Sequence, residues 1–337
     1  MRHYKLRKGL ELPVAGAPAQ EIHDGPAVRT VALLGSDYLG LKPRLAVQEG
    51  DVIAAGAPVF AHKDTADVQV VSPVSGRVKA VNRGARRVLV SVEIEVDAAA
   101  AEPVDFSLVG DVSTAEGLAE RLCAAGLWTS FLTRPYSKVP ASDARPAAIY
   151  VTAMESEPLA ADASVIINQA ADDFSAGLKA IAVLSEGKTY LCQSGDASIP
   201  SADGVEVVGF EGPHPAGLAG THMHFIEPPT ATKTVWSIGY QDVIAIGRLL
   251  NTGVVSAERI VALTGPLVSK PRLVRTAVGA SMADLLAGEL DSAAAPRMIS
   301  GSILSGRAGA GADGYLGRYA RQITVIEEDH KQIPMGW

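Results

Sequence analysis

Between residues 28 and 96 short apolar runs alternate with turn signals. The segments VRTVALLG, LAVQEGDVIAAGAPVFA, DVQVVSPVSGRVKAVNRG and RRVLVSVEIEV are rich in β-branched residues and are interrupted or flanked by Gly, Pro, Asn and Asp. Runs of this kind are typical of short strands joined by tight turns. The first part of the chain is therefore predicted to form a small all-β domain.

Helical and strand periods alternate in the next 150 residues or so. TAEGLAERLCAAGLW has apolar residues at helical spacing and follows Ser113 and Thr114, either of which can cap it. AAIYVTAM, KTYLCQ and GVEVVGF indicate strands, DDFSAGLKAIAVLSEG a helix ending at Gly187, and WSIGYQDVIAIGRLLNTG a helix ending at Gly253. This alternation predicts a Rossmann-like α/β domain with a partly parallel sheet.

The last part of the chain predicts a third, small domain. A hairpin-rich run, RIVALTGPLVSKPRLVRTAVGA, precedes the helix SMADLLAG, for which Ser281 is the expected cap, and QITVIEE is expected to return as a final strand. The run resembles the soluble-ligand-binding (SLBB) β-grasp family. The fold class is therefore a multidomain α+β and α/β protein with predicted domains at residues 1–102, 103–254 and 255–337.

The all-β part also resembles a known domain type. VQEGDVIAAGAPVF and VSPVSGRVKAV are similar to the two halves of a biotinyl/lipoyl-type barrel-sandwich domain. In carrier domains of that type a hairpin lysine bears the cofactor, and Lys63 lies in the matching stretch. It has no flanking methionines and stands 10 positions before Pro73, a poor match in spacing, so a plain exposed hairpin lysine is favoured.

Composition narrows the function classes. With 337 residues, 47% hydrophobic and 20% charged, the chain has ample material for buried cores, and its net charge of −7 argues against nucleic acid as a partner. No apolar run approaches the ~18–20 residues of a membrane span, and the basic N-terminus lacks the apolar core of a secretory signal, so cytosolic synthesis is expected. Cys123 and Cys192 alone cannot build a thiolate metal cage.

Two glycine-containing segments superficially match nucleotide-binding motifs. Gly309, Gly311 and Gly314 form G-x-G-x-x-G near the end of the chain, where no long strand precedes them, so a loop is expected. In SEGKT the first glycine of a phosphate loop is missing, and Gly187 is predicted to end a helix before Lys188 starts a strand. A G-x-S-x-G elbow is absent from the sequence, which argues against an α/β-hydrolase.

Two clusters remain as candidate sites. GPHPAGLAGTHMHF contains His214, His222 and His224, which with Glu227 are either zinc ligands or hydrogen-bonding and substrate-lining groups; the last two histidines are expected on one face of a strand. GLWTSFLTRPYSKVP concentrates aromatic and basic side chains that suit a planar ligand with carbonyl oxygens, or else staple a surface loop. Its candidate residues are Trp128, Phe131, Arg134, Tyr136 and Lys138.

Several long segments together carry a specific resemblance. RKGLELPVAGAP, IHDGP, PVSGRV, NRGARRVLVSV, GLWTSFLTRPYSKVP, GPHPAGLAGTHMHF and GYLGRY resemble the A-subunit (NqrA) of the Na+-translocating NADH:ubiquinone reductases, from Leu6 to Trp337. The resemblance implies that this chain lacks a C-terminal segment of the family. More distantly the architecture is similar to the C-subunit of the Rnf complex and to the flavin-bearing subunit of respiratory complex I.

The resemblance also bears on cofactors. In those distant relatives a glycine-rich loop holds FMN, an E-S-E-P-like stretch lies near the nicotinamide, and cysteines hold an iron–sulfur cluster. Here residues 154–158 (MESEP) keep the acidic stretch with Glu155 and Glu157, but the loop is replaced by AAGLWTSFLTRP, whose Trp128, Phe131 and Arg134 are expected to block close approach of the FMN phosphate. The family therefore implies no covalently bound cofactor in this chain, with flavins and an iron–sulfur centre on partner subunits.

The family implies a peripheral subunit on the cytoplasmic side of the bacterial inner membrane, docked on membrane-embedded subunits, especially the B-subunit (NqrB). It has no expected activity alone and contributes to ubiquinone binding and reduction coupled to sodium export. One alternative is a non-catalytic assembly subunit, with the quinone site on a partner; another is an NADH–flavin dehydrogenase, which needs a flavin loop absent here. Residues predicted to contact quinone are those of the aromatic loop and, as second choices, Leu33 and Tyr38 within LLGSDYLGL and His214 or His222.

Overall fold

The computed structural model describes residues 1–195, 197–290 and 295–328, which form two six-stranded sheets, one four-stranded sheet and one three-stranded sheet. The first two strands are β1 (Arg2–Lys5) and β2 (Ala19–Asp24). Neither strand joins the two small sheets formed by the residues that follow. Each is instead the edge strand of a six-stranded sheet that later parts of the chain form. The end of the stretch that carries the resemblance, residues 329–337, lies outside the described residues.

The barrel-sandwich domain comes next and packs its four- and three-stranded sheets around one apolar core. Val31, Phe60, Val92 and Ile94 are fully buried in this core. Lys63 is exposed in the turn between the second and third strands of the smaller sheet. The strands are β3 (Thr30–Leu34), β4 (Pro43–Leu45), β5 (Val52–Ile53), β6 (Pro58–His62), β7 (Thr65–Val71), β8 (Gly76–Arg83) and β9 (Leu89–Val96), ordered β3-β9-β8-β5 and β4-β6-β7.

The α/β domain follows and begins with α1 (Ala115–Ala124). Thr114 is its N-cap, since the Thr114 side chain accepts a hydrogen bond from the Gly117 N–H at 3.1 Å. After a 3₁₀ turn at Leu127–Ser130 come β10 (Leu132–Arg134), β11 (Ala148–Ala153), α2 (Ala163–Gln169), α3 (Ala171–Ala182), β12 (Lys188–Ser194), β13 (Val205–Glu211), α4 (Ala219–Ile226), β14 (Val235–Gly239) and α5 (Tyr240–Thr252).

The strand order of this sheet is β1-β13-β12-β11-β14-β10, parallel throughout except for β10. After β11 the chain adds β12 on one side and later returns to place β14 on the other side. The order therefore reverses between β11 and β14, and ligands of open α/β sheets bind outside the carboxyl ends of strands at such a switch point.

Two expectations about this domain are wrong. The third helix ends at Ala182 rather than at Gly187, although Lys188 does start a strand. The histidine-containing segment forms the helix α4 instead of a strand.

The C-terminal SLBB domain is a sheet ordered β18-β17-β19-β15-β16-β2. Ser281 caps the short helix α6, as expected, by accepting a hydrogen bond from the Asp284 N–H at 3.2 Å. The elements are β15 (Glu258–Thr264), β16 (Arg272–Ala277), α6 (Met282–Leu285), β17 (Pro296–Ser300), β18 (Arg307–Ala308) and β19 (Gln322–Glu327).

The glycines of the G-x-G-x-x-G match lie in a loop with a 3₁₀ turn at Gly311–Asp313, as the sequence predicts. Across the described ranges of the chain, none of the helices combines the length and apolar character that crossing a bilayer requires.

Candidate functional site

A cavity of about 200 Å³ lies at the switch point between β11 and β14. Thr152 lines it from the carboxyl end of β11, and residues 237–239 line it from the carboxyl end of β14. The first residues of α4 and α5 close it on two sides. The remaining lining comes from the aromatic loop, through Ser130, Leu132 and Arg134, and from the C-terminal part of the chain, through Arg259, Tyr319 and Arg321.

The aromatic loop turns its rings away from this cavity. Trp128 and Phe131 are fully buried, and each ring centroid lies 5.3 Å from that of Trp236. The Trp128 indole N–H also donates to the Pro140 carbonyl at 3.0 Å. The two rings therefore neither line a site for a planar ligand nor staple a surface loop, because they belong to the core of the α/β domain.

Strand alternation explains which side chains reach the cavity. Leu132 of β10 stands opposite Ser237 of β14, and both line the cavity, as does Arg134 two residues further on. Phe131 lies one position before Leu132 and, fully buried, contacts the aromatic core on the other face. The expectation that Trp128 and Phe131 would obstruct a ligand here is therefore wrong for the two rings, although Arg134 does line the space.

Tyr136 and Lys138 are exposed in the segment that follows β10 and are not part of the cavity lining. Tyr136 has 72% of its surface exposed. The structure thus brings one of the five loop candidates, Arg134, to the switch point.

Arg134 is half-buried, and no described carboxylate pairs with it. Burial lowers the pKa of its guanidinium below the ordinary value, because the charged form loses solvation that nothing nearby replaces. A partly buried cation without a counter-charge has an electrostatic reason to attract an electron-rich group.

An ion cluster adjoins the cavity and joins the three domains. Asp242, in the first turn of α5, accepts hydrogen bonds from Arg318 at 2.7 Å and Arg259 at 3.0 Å. Burial disfavours the charged carboxylate, but the two guanidinium groups outweigh it and lower the pKa of Asp242 to about 2. Arg318 also donates to Ser130 at 2.8 Å, and its backbone N–H donates to the Asp37 carboxylate at 2.7 Å.

Sequence reasoning missed this cluster. Arg259, Arg318 and Arg321 come from the C-terminal domain and Asp242 from the α/β domain, so no local motif links them. One signal was available: Asp242 directly follows the buried strand β14 and stands in an otherwise apolar helix, YQDVIAIG, where a charge needs a partner.

Leu33 and Tyr38 lie at a second, much smaller cavity. It has a volume of about 50 Å³, and Gly126, Leu127 and Thr129 of the aromatic loop line its other side. Both side chains are buried, and the Tyr38 ring packs edge-on against Phe60 at 5.7 Å. Leu33 and Tyr38 therefore line this second cavity rather than the one that Arg134 lines.

The three histidines do not form one cluster. His222 and His224 lie on different faces of α4, and His214 lies before this helix. His222 is fully buried, bonds the Ala216 carbonyl at 2.9 Å and has a pKa lowered by burial to about 4, while His224 is exposed on α4. His214 bonds the Ser156 hydroxyl at 3.1 Å. The prediction that His222 and His224 share a face is wrong, because positions two apart on a helix point in nearly opposite directions.

No group of three or more His, Cys, Asp or Glu among the described residues is placed to hold a metal ion. Glu227, the fourth candidate ligand, pairs with Lys233 instead. The acidic stretch is divided as well: Glu155 pairs with Arg321, and Glu157 accepts a hydrogen bond from Ser302.

Fold and site together define a three-domain protein with a barrel-sandwich domain, an α/β domain and an SLBB domain. Three family models match in the same order: the NqrA N-terminal barrel-sandwich hybrid domain over residues 4–97, the NqrA second alpha/beta domain over 113–255, and the NQRA C-terminal domain over 260–310. The chain belongs to the NqrA family, the A-subunits of the Na+-translocating NADH-quinone reductase, which is an oxidoreductase and translocase complex.

Curated relatives agree with this assignment. The A-subunit of the Na+-translocating NADH-quinone reductase of Hahella chejuensis is 51% identical over 99% of this chain and 75% of its own length. The corresponding proteins of Shewanella frigidimarina and Neisseria gonorrhoeae are 50% and 49% identical, over 98% and 99% of this chain and 75% of each relative.

Among solved structures, an NAD+-reducing NiFe hydrogenase in its H2-reduced state has a TM-score of 0.46 at 10% identity, covering 64% of this chain and 47% of that one. A similarity at this level says nothing about activity.

Proposed function

We propose that this chain contributes to ubiquinone binding in the Na+-translocating NADH-quinone reductase, with the quinone headgroup in the switch-point cavity and Arg134 as a donor to a quinone carbonyl. The observation that carries the proposal is Arg134 itself, which lines the cavity without a described carboxylate partner. Family membership supplies the reaction, since the relatives are named as NADH-quinone reductase subunits.

The cavity is large enough for the quinone headgroup but not for a whole ubiquinone molecule. Its volume of about 200 Å³ is below the roughly 300–1,000 Å³ of pockets that enclose drug-sized ligands. A single ring fits, and the isoprenoid tail extends outside. When the quinone is reduced, negative charge develops on its oxygens, so hydrogen bonds from Arg134 and from the N-terminus of α5 strengthen.

The proposed setting follows the family expectation. The chain acts on the cytoplasmic side of the bacterial inner membrane, docked on membrane-embedded subunits and especially on the B-subunit. Flavins and the iron–sulfur centre belong to partner subunits in this proposal, and the chain itself binds quinone without a resident redox group.

Tryptophan fluorescence tests the quinone site. Trp128 and Trp236 lie behind the strand pair that lines the cavity, so a soluble short-chain ubiquinone bound there is expected to quench their emission saturably. Arg134→Gln should weaken binding about tenfold or more, as loss of a charge-assisted hydrogen bond does. Lys138→Gln, a change on the same loop away from the cavity, is the control. Equal affinity in Arg134→Gln and wild type would rule out this site.

A second candidate function, assembly of the complex without a quinone site in this chain, is favoured by one open groove. Leu6, Pro215 and Phe225 give the groove an apolar lining, and three cations with His224 rim it: Lys5, Arg7 and Lys8. A mixed apolar and basic surface of this kind suits a partner protein. Absence of saturable quenching, together with loss of complex assembly in Arg7→Glu/Lys8→Glu, would favour this function over the first.

A further inference from the structure

Two helix N-termini converge on the switch-point cavity. The α5 N-cap is Gly239 and the α4 N-cap is Leu218; neither helix has a side-chain cap, and both N-caps line the cavity. The first peptide N–H groups of a helix have no partner within it, and the helix dipole adds a partial positive charge at that end. Both ends therefore offer hydrogen-bond donors to the same small space.

The side chains around the cavity add a surplus of positive charge. Five guanidinium groups and four carboxylates lie in or next to it: Arg134, Arg259, Arg307, Arg318 and Arg321, against Asp37, Asp242, Glu155 and Glu157. The four carboxylates are engaged by Arg259, Arg307, Arg318, Arg321 and Ser302, and Arg134 is left over. Since burial weakens solvation of that charge, an anion in the cavity would compensate it.

A threonine at the cavity wall points to the same conclusion independently of the charges. Thr152, at the carboxyl end of β11, is 6% exposed and lines the cavity. Its hydroxyl has no hydrogen-bond partner within residues 1–195, 197–290 and 295–328. A hydroxyl at a cavity wall that lacks a protein partner is available to a ligand or to water.

We propose that the switch-point cavity binds a phosphate group, with Arg134, Thr152 and the N-termini of α4 and α5 as its donors. These donors come from an edge strand, from β11 and from two helix N-termini, and helix N-termini combined with an arginine are a common setting for a phosphate group. The phosphate is either a free anion or the phosphate group of a small monoester. This inference does not rest on the quinone proposal, but because both ligands use Arg134 in one cavity of about 200 Å³, phosphate and the quinone headgroup are expected to compete.

Calorimetric titration of the full chain with inorganic phosphate, at constant ionic strength adjusted with chloride, tests the inference directly. Saturable binding to wild type is expected, with affinity reduced about tenfold or more in Arg134→Gln. Thr152→Val, which keeps the shape of the side chain, should weaken phosphate binding without unfolding the protein. Lys138→Gln is the matched control that keeps Arg134 and should bind phosphate as wild type does.

The arms of the experiment separate the possible results. Glycerol phosphate bound more tightly than inorganic phosphate would assign the group to a monoester; the reverse order would assign it to the free anion. No saturable binding of either compound, or equal affinities in wild type, Arg134→Gln and Thr152→Val, would overturn the inference. Quinone titration without phosphate is a separate readout, since quinone binding can fail while phosphate binding succeeds. If both ligands use the cavity, added phosphate should weaken quinone binding.

Discussion

His222 shows how burial decides the chemistry of a single side chain. Three neighbouring histidines suggest a metal site in the sequence, but His222 is fully buried beside the Phe210 ring, with centroids 4.4 Å apart. It bonds the Ala216 carbonyl and stays neutral because burial lowers its pKa to about 4. Its role in this fold is to complete the packing of α4 against the sheet.

Stability should therefore depend on pH through His222. In the unfolded chain the ring takes up a proton near its ordinary pKa of about 6.5, whereas in the folded chain it does so only near 4. The unfolded state binds more protons between these values, so stability falls as pH decreases through this window, by roughly 3 kcal/mol for this group.

Urea unfolding at a series of pH values from 7 to 4 measures this effect. His222→Gln keeps an N–H donor without a titrating ring and should lose less stability over the same range. His224→Gln, on the exposed side of the same helix, is the control and should follow wild type. Identical pH dependence in wild type and His222→Gln would contradict the assignment.

At the scale of elements, periodicity predicts strands and helices better than it predicts what they face. The buried strand Ala148–Ala153 and the helix ending at Gly253 follow from their apolar spacing alone. The spacing of the two histidines in segment 219–226 favours a strand, yet the segment is a helix with one histidine buried and the other exposed. Likewise the sequence singles out the aromatic loop, but only the pairing of Leu132 with Ser237 determines that Phe131 faces the core and Arg134 the cavity.

The start of α1 offers a prediction at this scale, because the sequence alone leaves Ser113 and Thr114 as alternatives. Thr114→Ala removes the acceptor for the Gly117 N–H and should cost about 1 kcal/mol of unfolding free energy. Ser113→Ala removes only an exposed bond to Asp111 and should change stability by less than about 0.5 kcal/mol. Chemical denaturation of the two variants checks the order, and a larger loss in Ser113→Ala would reverse the cap assignment.

For the whole molecule, Arg318 is a residue that links the three domains, through its guanidinium and its backbone N–H. It belongs to the C-terminal domain, its guanidinium bonds Asp242 and Ser130 of the α/β domain, and its N–H bonds Asp37 of the barrel-sandwich domain. These partners are between 76 and 281 positions away in sequence, which is why no pattern in the sequence predicts the junction.

Arg318→Met should destabilise the molecule by about 1.5–3 kcal/mol, because the buried Asp242 loses one charge-assisted hydrogen bond while Arg259 still pairs with it. Thermal unfolding is expected to begin at lower temperature and to lose cooperativity between domains. Lys188→Met, which removes a surface pair with Glu206, should change stability by no more than about 1 kcal/mol. Wild-type stability in Arg318→Met would show that the junction is held by apolar contacts instead.

The strands β1 and β2 have a consequence for biosynthesis. They leave the ribosome long before their partners β13 and β16, which end at Glu211 and Ala277. At about 5–20 residues per second, the first strand waits on the order of ten seconds or more for its neighbour, and the second waits longer. During translation the barrel-sandwich domain can close by itself, while the basic N-terminal segment remains unpaired and open to chaperones until most of the chain has been made.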